Sequence, residues 1–318
     1  MEIKTDYKYS ISIYKLGENM VGIVILNYNT WEITIECVKS IQNCDDTPKK
    51  IYIVDNNSLN DSYEMLKNYF KNEKNIEVIQ SYYNSGFAIG NNIGIDRCLL
   101  DGINCAILTN NDIIFNRDSI KSMSEFIENN QNVVIVGPKI YATNGAVSHS
   151  TFLVEPNLVE YLGLYRKNLP ILDEINIIAP TQVASVSGCC FSINIGNFKK
   201  MGAFDEGTFL YGEESILASQ AKANDLKVYF LPSASVIHKH GYTTGKTNLF
   251  VEGELLKSSL YYWNKYKNSS NFQLTFIFIV LFSKTLLKVI LGKRSFKGIN
   301  SYLGNSLKVY LKELQSQY

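Results

Sequence analysis

Four short polar clusters hold most of the side chains that could do chemistry. Asp55 ends an apolar run and precedes Asn56, Asn57 and Ser58. A carboxylate beside amides can hydrogen-bond a ribose or a base edge; the same residues can equally form an Asx-rich turn capping the next helix. Asp112 ends another apolar run, after Asn110 and Asn111. It could hold a divalent cation bridging a diphosphate, since hard oxygen ligands suit Mg2+ or Mn2+, or it could be a further polar turn. Glu213 and Glu214 stand in Phe209-Leu210-Tyr211-Gly212-Glu213-Glu214, just before a helical stretch. Two carboxylates there suit the positive end of a helix dipole. They could also include a general base, if apolar neighbours such as Phe209 and Tyr211 raise the pKa. His238 and His240 follow a further apolar run, in Val236-Ile237-His238-Lys239-His240-Gly241, where a neutral imidazole could complete a metal site. His149 lacks such a context and reads as a surface or loop residue.

The elements that must position these clusters follow from periodicity. Val21 to Leu26 is a continuous apolar run, the signature of a parallel strand buried on both faces. It ends in Asn27-Tyr28-Asn29. An amphipathic pattern over Trp31 to Gln42 predicts a helix with Ile33, Cys37, Val38 and Ile41 on one face. Strands follow at Lys50 to Val54, Ile76 to Gln80, Cys105 to Thr109 and Val133 to Val136. Helices lie between them, over Asp61 to Asn72, up to Leu100, and over Arg117 to Asn130. Strand and helix alternating at this spacing predict an α/β fold with an open, mostly parallel sheet flanked by helices. Ligands of such sheets bind at the carboxyl ends of the strands, which is where the polar clusters around Asn27, Asp55 and Asp112 sit. Beyond Pro138 the pattern is less regular, with one more strand at Lys227 to Leu231 and a helix at Ser215 to Ala223. No Gly-x-Gly-x-x-Gly follows the first strand and no Gly-x-x-x-x-Gly-Lys-Ser/Thr occurs, which removes the main support for dinucleotide and P-loop folds.

The chain has 318 residues and a net charge of +1, which argues against a generally basic, nucleic-acid-binding protein. The charge is unevenly spread. From Lys246 onward there are 11 Lys/Arg against 3 Asp/Glu, a net of +8, while the preceding part carries 20 against 27, a net of −7. Two regions with different partners are expected. The division is residues 1–19 as an extension, 20–245 as the catalytic domain and 246–318 as a basic helical region. The first residues are charged and lack the apolar stretch of a signal peptide. The six cysteines show no metal-site spacing, so reduced core cysteines in a cytoplasmic protein are expected.

Six ordered segments resemble the family-two glycosyltransferases, in particular the branch that includes rhamnosyltransferases of bacterial cell-surface polysaccharides. They are Val24 to Asn29; Ile53 to Ser58; Asn84-Ser85-Gly86-Phe87-Ala88-Ile89-Gly90-Asn91-Asn92; Thr109 to Asp112; Gly202-Ala203-Phe204-Asp205-Glu206 with Tyr211 to Glu214; and Val236 to Gly241. The resemblance spans about Val21 to Thr244. It implies a GT-A fold and an inverting single displacement from a nucleotide-sugar donor, dTDP-rhamnose or a UDP-hexose, to a glycan or lipid-linked acceptor. It implies that Asp112 and His238 hold Mg2+ or Mn2+. Asp55 and Asn56, with Asn27, Tyr28, Asn84, Gly86, Phe87, Asn91 and Asn111, would bind the nucleotide sugar, and the backbone at Gly188 would approach the sugar. Glu214 matches the family's base, Glu213 is its neighbour, and Asp205 and Glu206 would shape the acceptor side. Two positions depart from the family pattern. Glu214 stands where Asp is usual, moving the carboxylate by roughly 1.5 Å. Asn110 replaces the first Asp of the metal motif, a form common in this branch, with one negative charge fewer.

Phe272 to Leu291 is apolar enough to raise a membrane question. Lys284 and Lys288 share one face, and Lys293, Arg294 and Lys297 follow, so an amphipathic helix on the anionic inner face of the plasma membrane is expected. A helix packed on protein and a true span are the alternatives. Two other functions compete with the transferase. One is an inactive nucleotide- or carbohydrate-binding module of the same fold. The other, a nucleotidyltransferase, would want a Gly-rich basic loop after the first strand, and Leu26 to Trp31 offers none.

Overall fold

The computed structural model describes residues 20–148, 151–164, 171–239, 249–294 and 297–316. The extension 1–19, His149 and His240 lie outside the described residues. Strands β1 (Val21–Asn27), β2 (Lys49–Asp55), β3 (Ile76–Gln80) and β4 (Cys105–Asn110) alternate with helices α1 (Trp31–Gln42), α2 (Ser62–Tyr69) and α3 (Gly86–Leu100). Short β5 (Ile113–Phe115), α4 (Ser119–Asn129) and the long β6 (Val133–Ala142) follow. Next come α5 (Leu158–Tyr161), β7 (Thr181–Val183), β8 (Cys190–Asn194), α6 (Ile195–Lys200), α7 (Glu213–Ala223) and β9 (Lys227–His238). Helices α8 (Leu249–Lys265), α9 (Asn271–Ile290) and α10 (Ile299–Gln315) close the described chain.

The strands form one sheet in the order β3-β2-β1-β4-β8-β6-β9-β5, with β7 also on β9. The first four pair in parallel, as their apolar runs require: Ile23, Val24 and Ile25 are wholly buried because helices cover both faces. The second half is mixed. β8 is inserted antiparallel between β4 and β6, and β6 pairs parallel with β9. β6 and β9 also run further than their apolar runs, straight through Pro138 and Pro232. Proline cannot donate to a ladder, and the register shifts between Pro138 and Lys139, where β9 bulges past Pro232. That detour carries β9 onward to His238. All six cysteines are buried and free.

Helices α8, α9 and α10 pack on one another and on the part that carries the sheet, around Leu162, Ile216, Leu256, Leu260, Trp263 and Leu274. Lys284 and Lys288 do not form the solvent face expected of α9. Lys284 donates to the Leu162 carbonyl and Lys288 pairs with Glu252 on α8 at 2.9 Å, so both cations are turned inward.

Candidate active site

A cleft of about 410 Å3 opens at the carboxyl ends of β1 and β4. One wall comes from the sheet. β4 ends at Asn110, and the three residues of β5 pair antiparallel with the end of β9, Ile113 opposite His238. This pairing sets Asp112 beside His238, with Nε2 to Oδ1 at 3.2 Å. Burial alone would lower the pKa of His238. The bond to the Asp112 carboxylate and the interaction with Cys189 outweigh it and push the imidazole up to about 10. Asn111 turns down beneath the cleft. Its amide donates to Thr30 Oγ1 at 2.7 Å and Thr34 Oγ1 at 2.9 Å.

The other wall comes from the start of α7. Tyr211 (φ +70°) and Gly212 (φ +89°) are both left-handed, an expensive conformation for tyrosine, and they swing Glu213 and Glu214 to the cleft. Gly188 stands opposite, placed because Thr109 pairs with Cys190 and the Asn110 N–H donates to the Cys189 carbonyl. The Gly188 N–H donates to Glu214 Oε1 at 3.1 Å. Glu213 is buried, and its Oε1 has no hydrogen-bond partner among the described residues. Burial first, then the charge of Glu214, pushes its carboxyl up to about 8.

Eight of the residues singled out in the sequence line this cleft: Tyr28, Phe87, Asn111, Asp112, Gly188, Glu213, Glu214 and His238. Others are placed behind it. Asp55 is 0% exposed, and its oxygens accept from Asn27 Nδ2 at 2.7 Å, Ser58 Oγ at 2.6 Å and the Ser58 N–H at 2.9 Å. Asn27 in turn accepts from Thr34 Oγ1 at 2.7 Å, so a buried polar chain ties the ends of β1, β2 and β4. Asn56 fastens the loop before α3, donating to Asn84 Oδ1 and the Gly86 carbonyl and accepting from Ser81 and Ser85. Gly86 is left-handed (φ +80°) and presses on the Phe209 loop: a Cβ there would sit 2.3 Å from the Phe209 carbonyl oxygen. Asn91 bonds the Phe87 carbonyl inside α3. Asp205 and Glu206 do not face the cleft either. Asp205 accepts from Tyr261 at 2.8 Å, Lys265 at 2.7 Å and Tyr266, fixing α8, and Glu206 accepts from Asn92 at 3.0 Å.

The cleft also takes Leu26, Asn110, Ser187, Cys189, Leu210 and Tyr211. Ser187 and Cys189 flank Gly188 and could have been found from it. Among the described residues no group of three or more His, Cys, Asp or Glu side chains is placed to hold a metal. Asp112 and His238 nevertheless converge in the cleft as one hard oxygen donor and one imidazole. That set fits Mg2+ or Mn2+ once the His238–Asp112 bond opens and the imidazole gives up its proton, with ligand oxygens completing the shell.

The model of the family described as Glycosyl transferase family 2 matches residues 22–201, more than half of the chain. The chain belongs to glycosyl transferase family 2. The match covers the sheet wall up to Asp112 and Gly188 and stops short of Glu213, Glu214 and His238. The low-salt glycan biosynthesis hexosyltransferase Agl10 of Haloferax volcanii is 26% identical over 222 residues, 69% of this chain and 66% of that protein. The chain thus spans just under two thirds of that relative's length. GalNAc-T7, solved with UDP, GalNAc and Mn2+, is similar at a TM-score of 0.60 and 16% identity, over 78% of this chain and 49% of that one. S. aureus TarS 1–349 in complex with UDP-GlcNAc is similar at a TM-score of 0.55 and 13% identity, over 93% and 81%. At these identities the two structures speak for the fold alone, a GT-A-like mixed sheet with helices on both faces and helices at the C-terminal end.

Proposed function

We propose that this family 2 protein is an inverting, metal-assisted hexosyltransferase. It would move a sugar from a nucleoside diphosphate donor to a hydroxyl of a glycan or lipid-linked acceptor in cell-surface polysaccharide synthesis. The observation that carries the reading is the opposition, across one cleft of about 410 Å3, of the Asp112–His238 pair and the Glu213–Glu214 pair. Glu214 is the base. It takes the proton of the acceptor hydroxyl while the oxygen attacks C1, and the electrons of the C1–O bond leave with the diphosphate. The Gly188 N–H, bonded to Glu214 Oε1, fixes the direction in which that carboxylate points. Glu213, whose pKa is raised, stays protonated near neutral pH and is suited to donating a hydrogen bond to a sugar oxygen rather than to taking a proton. Bound at Asp112 and His238, Mg2+ or Mn2+ would supply positive charge against the diphosphate. A nucleoside contact from Asp55 requires its bond to Ser58 or Asn27 to open, whereas Tyr28 and Phe87 already reach the cleft. The six-segment resemblance favours dTDP-rhamnose; Agl10, a hexosyltransferase, favours hexoses generally.

A donor panel tests this: dTDP-rhamnose, UDP-glucose, UDP-galactose, UDP-N-acetylglucosamine and GDP-mannose, each with Mg2+ or Mn2+ and with a lipid-linked acceptor supplied. The expected result is turnover of one donor that Glu214→Gln lowers by about 1,000-fold. Turnover of none, with binding of none, would leave an inactive module of the same fold.

A further inference from the structure

In α9 the usual polarity of a basic amphipathic helix is reversed. Its cations point into the protein, where Lys288 and the following Arg294 share the buried carboxylate of Glu252 at 2.9 and 2.8 Å. Leu274 and Ile277 belong to the core shared with α8. Phe278 and Phe282 stack on Tyr310 and Tyr302 of α10, with ring centroids 4.5 and 5.7 Å apart. The side that remains outward carries Phe272, Phe276, Ile279, Leu287, Ile290 and Leu291, all between 37% and 81% exposed. From Phe272 to Ile290 they fall at spacings of 4, 3, 8 and 3, which share one helix face interrupted by Ser283, and Leu291 follows at the C-cap. α10 adds Leu307 and Leu311, exposed and one turn apart. An apolar strip of this kind on a soluble surface marks an interaction site.

By length and composition α9, with 20 residues and a mean hydropathy of 1.8, could cross a membrane. Its contacts argue against crossing. The inward flank is held by ion pairs to Glu252 and by aromatic stacks, so only the outer strip is open to an apolar medium. The same helical region also carries cations outside the ion pairs to Glu252. Lys293 follows α9 directly, Lys308 and Lys312 stand beside Leu307 and Leu311, and none of the three makes an ion pair among the described residues. The part beyond Lys246 carries +8 and the remainder −7. An anionic surface would therefore attract this end and repel the other, orienting the molecule.

We propose that the outer strip of α9, helped by the positive charge of the region that also carries Lys293, Lys308 and Lys312, docks the protein on an anionic phospholipid bilayer, lying in the interface plane and not across it. Cosedimentation of the full chain with vesicles tests it, comparing phosphatidylcholine alone with phosphatidylcholine and phosphatidylglycerol. The expected result is binding to the anionic vesicles that weakens with added salt. The pair Ile279→Asp and Ile290→Asp should weaken it at least ~10-fold. The triple Lys293→Gln, Lys308→Gln and Lys312→Gln should weaken it on the order of 100-fold at low salt, about fivefold for each lysine. Melting temperatures stay unchanged, because every substituted side chain is outward. The proposal is overturned if wild type ignores anionic vesicles, binds neutral ones equally, or is indifferent to the paired Asp substitutions. It is also overturned by a dimer that the same pair dissolves without vesicle binding, which would make the strip a contact between copies. Protein that resists salt and alkaline extraction would mean a span. No sugar donor is present in this assay, so its outcome is independent of the transferase reading.

Discussion

Asp112 and His238 are held by the sheet, whereas Glu213 and Glu214 are held by a strained loop. On the sheet wall, strand pairing fixes both backbones, and the amide of Asn111 is satisfied by the threonines beneath it. On the helix wall, two successive left-handed residues deliver the carboxylates, one Glu213 oxygen has no partner among the described residues, and the loop is clamped between Gly86 and α8. Ser258 on α8 donates to the Leu210 carbonyl at 2.8 Å, and Asp205 anchors the same helix. The difference separates two tasks. Holding a metal and a diphosphate needs fixed donors; taking a proton and admitting an acceptor needs a group whose environment is set to shift its chemistry. It also gives the basic helices a structural task, since α8 backs the loop that carries Glu213 and Glu214.

The comparison can be broken first at the sheet wall. Asp112→Asn removes the anionic charge of the proposed metal ligand and should lower donor turnover on the order of 1,000-fold, as should a chelator on the wild type, with the melting curve little changed. Turnover that ignores both would remove the metal role from this wall. On the helix wall Gly188→Ala is the sharper probe. A Cβ there would lie 2.7 Å from Glu214 Oε1 and displace the proposed base, so kcat should fall ~10- to 100-fold with donor KM nearly constant. An equal rise in KM would mean that Gly188 serves the donor more than the base.

Glu213 supplies a test of opposite sign. Its carboxyl is pushed up from 4.5 to about 8, so between those values the folded protein binds more protons than the unfolded chain. Stability from this group is therefore present at low pH and falls as pH rises through that window. Glu213→Gln cannot ionise and should raise the melting temperature by ~2–4 °C at pH 8, and by little near pH 4.5. A melting curve equally shifted at both values would contradict the burial argument. The smallest effect is expected at Asp205→Asn, which weakens the bonds to Tyr261 and Lys265. A loss of about 1 kcal/mol in denaturant unfolding, with a modest fall in kcat, would support α8 as the backing of the loop.

Much of this architecture could be read from residue patterns, and the failures have physical causes. The first four strands and α1 follow their apolar runs closely because both faces of a parallel sheet are buried. β9 did not, since Pro232 ordinarily ends a strand and only a bulge against β6 allows it to reach His238. Asp55 and Asn27 are polar at a strand end, as a donor site would be, yet Ser58 and Thr34 satisfy them within the fold. Nothing in the local sequence distinguishes a buried latch from an open site. The lysines of α9 were expected to face the lipid headgroups; Glu252, 36 residues before Lys288, holds that lysine, and the Leu162 carbonyl holds Lys284.

Titration calorimetry of UDP and dTDP, with and without Mn2+, into wild type, Asp112→Asn and Glu214→Gln tests the division of labour most directly. The account predicts that diphosphate binding requires Mn2+ and Asp112 and survives Glu214→Gln at near wild-type affinity, although that variant no longer turns over donor. Binding that survives Asp112→Asn, or that Glu214→Gln weakens as much, would contradict it.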